Sequence, residues 1–386
     1  MTARAAVVVL DACGVGALPD ADRYGDAGSD TLSHVAEAVG GLDLPALGRL
    51  GLGSIAPIAG VPPVDDPVLH GRLHPLGPGK DSTTGHWELM GAVTPAPLPT
   101  YPDGFPLDVM RRLEAATGRR FCGNAPSNGI TVLEELGEHH LASGELILYT
   151  SADSVLQVAA HDEVLSESEL HEACAAIRAQ MTGEHAVGRV IARPFAGRPG
   201  AFARTEGRRD FSIDPPTRTY LDALVEAGAP VHAVGKVRDL FNGRGITDDH
   251  PGKTNARALA ATTELLRDLD GGLIFTNLVE TDQVYGHRKD VDGFHAALRE
   301  IDAAVAEWVA LLRPGDLLIL TADHGVDPFV AHTDHTREHV PLLAVFEGHG
   351  ARRHDGPMAD VGATALAWLA GQEDGTLPGA PFAGGA

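Results

Sequence analysis

The chain has 386 residues, with 53 Asp or Glu against 30 Lys or Arg, and its formal net charge at pH 7 is −23. A charge this negative argues against a protein that wraps nucleic acid or coats an anionic membrane. Hydrophobic residues make up 44% of the chain, yet no apolar run approaches the roughly 18–20 residues of a membrane span. The three cysteines lack disulfide or metal-type spacing, and the first residues do not form a signal-peptide pattern, so we expect a cytoplasmic protein.

Short apolar, β-branched runs alternate with helix-like stretches along the chain. The predicted buried strands are residues 5–10, 146–149, 231–234, 273–275, 317–320 and 340–346. The predicted helices are residues 166–181, 218–227, 255–269 and 291–312. This alternation predicts an α/β fold with a mostly parallel sheet. Functional groups gather at the carboxyl ends of such strands, so Asp11, residues 277–282 and Asp323 are expected to meet at one sheet edge.

Two proline-rich stretches divide the chain. Pro95, Pro97 and Pro99 lie in the first, and Pro215 and Pro216 lie in the second. Proline interrupts regular structure, so such stretches are typical of hinges between domains. We expect residues 96–215 to form an inserted, smaller α/β domain. Residues 1–95 and 216–386 are then expected to form one discontinuous domain.

Aspartate and histidine residues occur in groups near the ends of the predicted strands. They are Asp11, Asp282 with His287, Asp323 with His324, and His335. Carboxylate oxygens and neutral imidazoles together suit divalent ions such as Mn²⁺ or Zn²⁺, and six such residues could hold two ions. Each residue alone is more often a turn residue or a helix cap, so only the combination indicates a metal site.

Residues 79–88 place three adjacent hydroxyl side chains between a Lys-Asp pair and a Gly-His-Trp sequence. One of Ser82, Thr83 and Thr84 could act as a nucleophile beside backbone amides that stabilise an oxyanion. On pattern alone, such a segment is more often a loop or a helix cap. It is not a Walker P-loop, because the required glycine spacing before Gly-Lys is absent.

These residues match a known family. The chain resembles the bacterial phosphopentomutases of the alkaline phosphatase superfamily over nearly its whole length. The matching stretches are Asp11 with Gly14 and Gly16, and residues 25–31, 79–88, 149–155, 188–195, 286–288, 321–325 and 333–338. The resemblance implies an alkaline-phosphatase-like core that binds two metal ions, formed by residues 1–95 and 216–386. It also implies an inserted substrate-binding cap, which is consistent with the proline positions.

The resemblance further implies the role of each site residue. One ion, expected to be Mn²⁺, would be held by Asp11, Asp323 and His324 together with the nucleophile hydroxyl. The other would be held by Asp282, His287 and His335. Ser82 stands directly after Lys-Asp, at the family's nucleophile position, and Thr83 and Thr84 are weaker candidates. The positions that match substrate contacts are Ser151, Asp153, Arg189, Arg204 and Lys236, with Arg193 a further candidate on the same face of a strand-like run.

The implied reaction interconverts the 1-phosphate and 5-phosphate of ribose or deoxyribose. It passes through a phosphoserine enzyme and a pentose 1,5-bisphosphate, with glucose 1,6-bisphosphate or ribose 1,5-bisphosphate as activator. The expected partners are small pentose phosphates, with no nucleic acid and no membrane. Arginine suits the phosphate of the sugar because its guanidinium binds phosphate oxygens in a bidentate manner.

The chain departs from the family pattern at several positions. Ser82 stands where the family has threonine, and Glu280 and Thr281 stand where it usually has Asp-Phe. Val326 replaces a small polar residue, and His332 stands where glycine is expected. The lysine that commonly follows Asn124 is also absent. None of these changes removes an expected metal ligand, but together they suggest a diverged paralogue acting on a modified or other pentose phosphate.

Other classes of function remain as alternatives. A metal-dependent phosphatase could use the same scaffold if water reached the phosphoenzyme. A sulfatase would need a Cys/Ser-x-Pro-x-Arg segment, which does not occur around Ser82. Residues 80–88 match the pattern of a cofactor-independent phosphoglycerate mutase less well than that of the pentose enzyme. A metal-binding regulator without turnover would not need both a full ligand set and a nucleophile.

Overall fold

The computed structural model describes residues 3–151 and 154–384. The chain forms two compact units, one made of Met1–Pro97 with Pro215–Ala386 and the other of Leu98–Asp214. The larger unit is therefore discontinuous in sequence, whereas the smaller one is a single insertion.

Strands and helices alternate through much of the described chain. The strands are β1 (Arg4–Leu10), β2 (Leu69–His74), β3 (Phe121–Pro126), β4 (Leu146–Thr150), β5 (Val155–His161), β6 (Arg189–Ala196), β7 (Ala203–Arg204), β8 (Arg209–Ser212), β9 (Val231–Val234), β10 (Asp248–His250), β11 (Gly272–Leu278), β12 (Leu317–Thr321), β13 (Val340–Phe346) and β14 (Gly356–Pro357). The α-helices are α1 (Thr31–Ala38), α2 (Pro45–Leu50), α3 (Leu52–Ile55), α4 (Ser82–Leu89), α5 (Leu107–Thr117), α6 (Thr131–Ser143), α7 (Glu167–Gln180), α8 (Tyr220–Glu226), α9 (Val237–Leu240), α10 (Asn255–Asp268), α11 (Val291–Leu311) and α12 (Asp360–Ala370).

The larger unit is built on one sheet with the strand order β10-β9-β11-β1-β12-β13-β2-β14. The four strands around the centre, β9, β11, β1 and β12, run parallel, and β13 pairs antiparallel with both β12 and β2. Strand β1 is buried at all seven residues because it lies between β11 and β12. The predicted mixed α/β fold with a mostly parallel sheet is confirmed.

Local sequence explains where several helices begin. The hydroxyl of Ser166 accepts a hydrogen bond from the Glu169 amide at the start of α7, and Thr219 does the same for Asp222 at the start of α8. Each forms a capping box, which satisfies amides that a helix end leaves without partners. Helix α11 extends for 21 residues and packs its apolar side, including Phe294 and Ile301, into the core.

The smaller unit has its own mixed sheet in the order β3-β4-β5-β6-β7, and β8 pairs with β6. Helices α5 and α7 cover an apolar cluster that includes Leu113, Leu156 and Ile177. A second cluster, including Val132, Ile147 and Phe195, lies beneath α6. The unit therefore has the buried core that an independent domain requires.

No helix within residues 3–151 and 154–384 combines the length and the apolar composition needed to cross a membrane.

Candidate active site

Asp11 directly follows the central strand β1 and is 1% exposed. Its Oδ2 accepts a hydrogen bond of 2.8 Å from the Asn277 side chain on β11. Its backbone oxygen accepts one of 2.7 Å from the Thr281 hydroxyl. Oδ1 lies 3.4 Å from His324 Nε2. The neighbouring parallel strand thus holds the carboxylate in one orientation.

Asp323 and His324 follow β12 on the other side of β1. Asp323 Oδ1 accepts a hydrogen bond of 3.2 Å from the Ala12 amide, and its Oδ2 lies 3.4 Å from His324 Nε2. His324 donates from Nδ1 to the Gly325 carbonyl at 3.0 Å. Its Nε2 therefore carries the lone pair, in the direction of both aspartates.

Asp282 lies in a π-helical turn, Thr281–Tyr285, and His287 lies in the 3-10 turn that follows. Asp282 Oδ1 is 3.3 Å from His287 Nε2 and 3.4 Å from His335 Nε2. His287 donates from Nδ1 to the Thr333 carbonyl at 2.7 Å, which directs its other nitrogen toward Asp282. Carbonyl partners of this kind orient metal-binding histidines in many proteins.

Five of the six expected ligands form two overlapping groups. Asp282, His287 and His335 have ligand atoms within 4.8 Å of one another, and so do Asp11, Asp282 and His324. Asp282 belongs to both groups, whereas the sequence analysis placed it with one ion alone. Asp323 is in neither group, but its Oδ2 lies 3.4 Å from the Nε2 of His324, which belongs to the second group. The division of the ligands between two ions stays a prediction.

The residues present fit divalent cations. Within residues 3–151 and 154–384, three buried carboxylate oxygens that face the site accept no hydrogen bond: Asp11 Oδ1, Asp282 Oδ1 and Asp323 Oδ2. Buried polar atoms are normally satisfied, and unpaired carboxylates are costly to bury. Oxygen and imidazole donors of this kind suit Mn²⁺ or Zn²⁺.

The pKa values of these groups reflect crowded charge. Burial raises the pKa of Asp11 well above its usual range, and the charges of Asp323 and Asp282 add to the rise. Burial alone would also raise the pKa of Asp282, but His335 and His287 hold it well below its usual range. Burial lowers the pKa of His324, which keeps its imidazole neutral and able to act as a ligand.

Ser82 is the first residue of α4, and its hydroxyl lies 3.1 Å from His324 Nε2. The preceding Asp81 accepts hydrogen bonds from the Thr83 and Thr84 amides and forms a capping box with Thr84. The Thr84 hydroxyl is therefore used in the cap, at 2.7 Å from Asp81 Oδ2. The structure brings Ser82 to the expected metal ligands at the positive end of a helix, where negative charge is stabilised.

Gly85 and His86, which follow Ser82 on α4, fix this helix against Asp323. A Cβ atom on Gly85 would lie 2.4 Å from the Asp323 carbonyl oxygen, so only glycine permits this approach. His86 donates from Nδ1 to the Ser82 carbonyl at 2.8 Å, and the same nitrogen lies 3.1 Å from Asp323 Oδ2. His86 was missed as a site residue, although it stands in the Gly-His-Trp sequence noted above.

A buried carboxylate, Asp26, joins the loops that carry Ser82 and His335. It accepts from Lys80 Nζ at 3.1 Å, from His332 Nε2 at 2.7 Å and from the Arg337 amide at 2.8 Å. His332 stands where the family was expected to have glycine, and here it forms one of these three bonds. Sequence reasoning assigned no role to Asp26, since a single Asp in a glycine-containing turn has no distinctive local pattern.

We expect Asp26→Asn to weaken the metal site without unfolding the chain. An amide cannot attract Lys80 and accept from all three donors, so the loop that carries His335 becomes less restrained. Loss of a partner that orients metal ligands typically costs about 10- to 100-fold in metal affinity. Mn²⁺ binding, followed by the paramagnetic resonance of the free ion, measures this loss. Asp22→Asn, at an exposed position nearby, is the control, and equal affinity in both variants would refute the expectation.

Glu338 is a second buried carboxylate behind the site. Oε1 accepts from the Thr31 and Thr336 hydroxyls at 2.7 and 2.6 Å, and Oε2 accepts from the Thr31 and Gly16 amides at 2.9 and 3.3 Å. A Cβ atom on Gly325 would lie 2.4 Å from Glu338 Oε1, so the glycine after His324 makes room for this carboxyl. Burial raises the pKa of Glu338 to about 7.

Glu338→Gln is expected to remove part of the pH dependence of stability. The folded-state pKa of about 7 exceeds the ordinary glutamate pKa of 4.5, so between these pH values the folded chain holds a proton that the unfolded chain releases. The contribution of Glu338 to the free energy of unfolding is consequently full below this window and is lost as pH rises through it, by about 3 kcal/mol. In Glu338→Gln the two threonine hydroxyls can turn to accept from the amide, and this fall disappears. Urea unfolding from pH 5 to pH 8 measures it, with exposed Glu347→Gln as control; identical slopes in wild type and Glu338→Gln would disprove the assignment.

Other departures from the family pattern have local structural reasons. Thr281 donates its hydroxyl to the Asp11 carbonyl. Glu280 accepts from the Asn255 amide at 3.0 Å, at the start of α10. Val326 packs over Gly286, where a Cβ atom would lie 2.3 Å from its methyl group. These residues support the backbone around Asp11, Asp282 and His287 and leave the ligands themselves unchanged.

The arginines expected to bind substrate lie in the smaller unit. Arg189 and Arg193 are on the same face of β6, and Arg189 is 3.7 Å from Asp210. Arg208, which the sequence analysis did not single out, forms two bonds of 2.8 Å to the same Asp210. Burial alone would raise the pKa of Asp210, but Arg208 and Arg189 hold it below its usual range.

The remaining expected substrate residues are more dispersed. Arg193 donates twice to the Gln157 side chain, at 3.1 and 2.8 Å, and exposed Arg204 donates to the Gly129 carbonyl at 3.1 Å. Ser151 is half-buried after β4, and Asp153 lies outside the described residues. Lys236 belongs to the larger unit, just before α9, where its charge opposes the rise in the pKa of Asp11 that burial causes.

Comparison with known proteins identifies the family. A family model described as the Metalloenzyme superfamily matches residues 3–372. The phosphopentomutase of Carboxydothermus hydrogenoformans is 50% identical over 350 residues, which are 90% of each chain. The phosphopentomutase of Anaeromyxobacter sp. strain K is 48% identical over 378 residues, which are 97% of each chain. The chain belongs to the phosphopentomutase family.

Phosphopentomutases are isomerases, so membership of this family identifies the chain as a mutase of the metalloenzyme superfamily. The fold agrees with that assignment. Phosphoglycerate mutase from Leishmania mexicana has a similar fold, with a TM-score of 0.51 over 98% of this chain and 97% of that chain. Its sequence is only 14% identical, so this likeness concerns the fold alone. The resemblance to phosphopentomutases found in the sequence is confirmed.

Proposed function

We propose that this chain interconverts ribose or deoxyribose 1-phosphate and 5-phosphate through a phosphoserine at Ser82 and a pentose 1,5-bisphosphate. The observation that carries the proposal is the position of the Ser82 hydroxyl, 3.1 Å from His324 Nε2 at the start of α4 and beside carboxylate oxygens without hydrogen-bond partners. Phosphopentomutases about 50% identical to this chain support the choice of a pentose phosphate as substrate.

Two divalent cations, which we propose to be Mn²⁺, would be held by Asp11, Asp282, His287, Asp323, His324 and His335. When bound, such ions neutralise phosphoryl oxygens and lower the pKa of a neighbouring hydroxyl. The described structure offers carboxylates and imidazoles for this role in a site where Asp11 is 1% exposed. Hard carboxylate ligands favour manganese over softer metals.

The chain's own residues then account for the transfer. The free hydroxyl of the sugar phosphate forms a bond to the phosphorus on Ser82 as the bond to the Ser82 oxygen breaks, which produces the bisphosphate. The bisphosphate reorients and returns its other phosphate to Ser82, so no phosphate is consumed. Water must be kept from the phosphoserine for this balance to hold. Glucose 1,6-bisphosphate or ribose 1,5-bisphosphate would first load Ser82.

The phosphate that does not react needs positive partners in a chain of charge −23. We assign this role to Arg189, Arg193 and Arg204 in the smaller unit, because guanidinium groups bind phosphate oxygens in pairs. Ser151, Asp153 and Lys236 complete the proposed substrate residues. Residues 96–215 would accordingly serve as the substrate-binding cap, and residues 1–95 with 216–386 as the catalytic core.

The three cysteines Cys13, Cys122 and Cys174 are free thiols in the described structure, which supports a reducing compartment such as the cytoplasm.

The deciding experiment is ³¹P NMR of the Mn²⁺-activated reaction with ribose 1-phosphate and a trace of glucose 1,6-bisphosphate. The proposal predicts growth of the ribose 5-phosphate signal without inorganic phosphate. Inorganic phosphate alone would instead identify a phosphatase on this scaffold. If neither signal changes, the sugar assignment is wrong, and a panel of other pentose phosphates follows.

A further inference from the structure

Three side chains of types that can bind a metal ion converge in the smaller unit, among residues to which the mutase reaction assigns no role. Cys122 lies on β3, an edge strand that pairs with β4. His139 lies in the last turn and a half of α6, and Glu145 lies in the short connection from α6 to β4. Three separate parts of the backbone thus contribute one side chain each.

Their ligand atoms lie close together. The Cys122 sulfur, a His139 ring nitrogen and a Glu145 carboxylate oxygen are all within 4.8 Å of one another. His139 Nε2 and Glu145 Oε2 are 2.9 Å apart. The Cys122 sulfur lies 3.7 Å from the Leu146 carbonyl oxygen. Bonds of about 2.0–2.3 Å to one central ion require only small side-chain movements from these positions.

We propose that Cys122, His139 and Glu145 bind one Zn²⁺ ion, with water as the fourth ligand. One sulfur, one nitrogen and one oxygen donor form a three-ligand set of the kind that zinc accepts in sites with an open position. The thiolate distinguishes this site from the aspartate and histidine groups of the larger unit, because soft sulfur favours zinc over manganese.

The backbone of this site is already ordered. His140, next to His139, donates from Nδ1 to the Glu145 carbonyl at 2.6 Å, and its Nε2 accepts from the His161 amide at 2.9 Å. This pair of bonds fixes the α6–β4 connection to the sheet. The His139 side chain is 52% exposed, so an ion can enter from solvent without displacing the core.

Zinc must displace Arg120 from Glu145 and the proton from the Cys122 sulfur. Arg120 Nε lies 3.4 Å from Glu145 Oε1, but its side chain is 81% exposed and can turn away. Burial, together with the charge of Glu145, raises the pKa of Cys122 to about 11. The thiol therefore releases a proton to solvent when the metal–sulfur bond forms, and binding strengthens as pH rises.

Cadmium titration of the Mn²⁺-loaded full-length chain tests the site, because Cd²⁺ bound to thiolate has an ultraviolet charge-transfer absorption. The proposed ligands of the larger unit include no sulfur, so ions bound there do not contribute to this band. We expect the band to saturate at one equivalent and to be reversed by competing Zn²⁺. It should vanish in Cys122→Ser and require at least tenfold more Cd²⁺ in His139→Ala and in Glu145→Gln. Cys174→Ala, at a buried thiol of the same unit, should leave it unchanged.

Several results would overturn the inference. A band that survives in Cys122→Ser would assign the thiolate to another cysteine. A band with unchanged affinity in His139→Ala would indicate an isolated thiol rather than a three-ligand site. Failure of Zn²⁺ to compete would exclude zinc, and absence of any band in the wild-type chain would exclude the site. Circular dichroism of each variant checks that its fold is retained, and mutase activity is not needed for any of these readings.

Discussion

Ser82→Ala should abolish mutase activity, with a loss of at least about a thousandfold in turnover, while the chain still binds its metal ions. Removal of a covalent nucleophile leaves only binding and electrostatic effects to accelerate the reaction. The six carboxylate and imidazole side chains that we propose as ligands are untouched by the change. Initial rates with ribose 1-phosphate and metal content after dialysis measure the two halves of this expectation.

Two further variants separate the nucleophile from its neighbours. Ser82→Thr keeps a hydroxyl at the start of α4 and should retain activity, since the family resemblance implies threonine at this position. Thr83→Val should also remain active and phosphorylated. Turnover in Ser82→Ala within tenfold of the wild type would exclude Ser82 as nucleophile. Thr83 would then be the next hydroxyl to test, because the Thr84 hydroxyl is bonded to Asp81.

Asp282→Asn should release both metal ions, whereas His287→Ala should release one. Asp282 has an oxygen in each of the two ligand groups, and His287 belongs to one of them. Asparagine at position 282 lacks the negative charge that both groups share. Activity should therefore fall by about a hundredfold or more, which exceeds the loss typical when a residue that only orients a metal ligand is changed. Metal per chain after dialysis against Mn²⁺ measures this difference directly.

Each of these two variants removes one side chain of the site, so each controls for general damage caused by the other. If Asp282→Asn and His287→Ala retain the same number of ions, Asp282 does not bridge the two groups. Near-ultraviolet circular dichroism should show the same tertiary structure in both variants. A wild-type metal content in Asp282→Asn would remove Asp282 from the ligand set.

Patterns within short segments were sufficient to predict much of the fold. The apolar runs at residues 231–234 and 340–346 coincide with β9 and β13, because buried strands show continuous hydrophobicity. Helix α10 begins at Asn255, as expected, after the Thr254 side chain that caps it. The helices of the smaller unit before residue 166 were not predicted, since their apolar residues are mixed with charged and glycine positions, as in α6.

The candidate site likewise contains residues that could be predicted from the sequence and residues that could not. Its aspartates and histidines could be identified because they follow strands and match a family pattern. Asp26 and Glu338 could not, because their roles depend on bonds to residues up to 322 positions away in the chain. A buried carboxylate surrounded by donors has no local signature in sequence. The sharing of Asp282 between two ligand groups likewise becomes visible only when the π-helical turn is placed beside His335.

The pairing of β1 determines the order in which parts of the chain can fold during synthesis. This strand is the first to be made, yet its hydrogen-bonding neighbours are β11 and β12, which begin at residues 272 and 317. At about 5–20 residues per second, the ribosome takes on the order of ten seconds or more to supply them. The contiguous smaller unit can fold during that interval. Arg4–Leu10 meanwhile stays an apolar segment without its partner strands. An ion that needs the proposed ligand His335 can bind only after that residue has been synthesised, so this topology also places metal binding late.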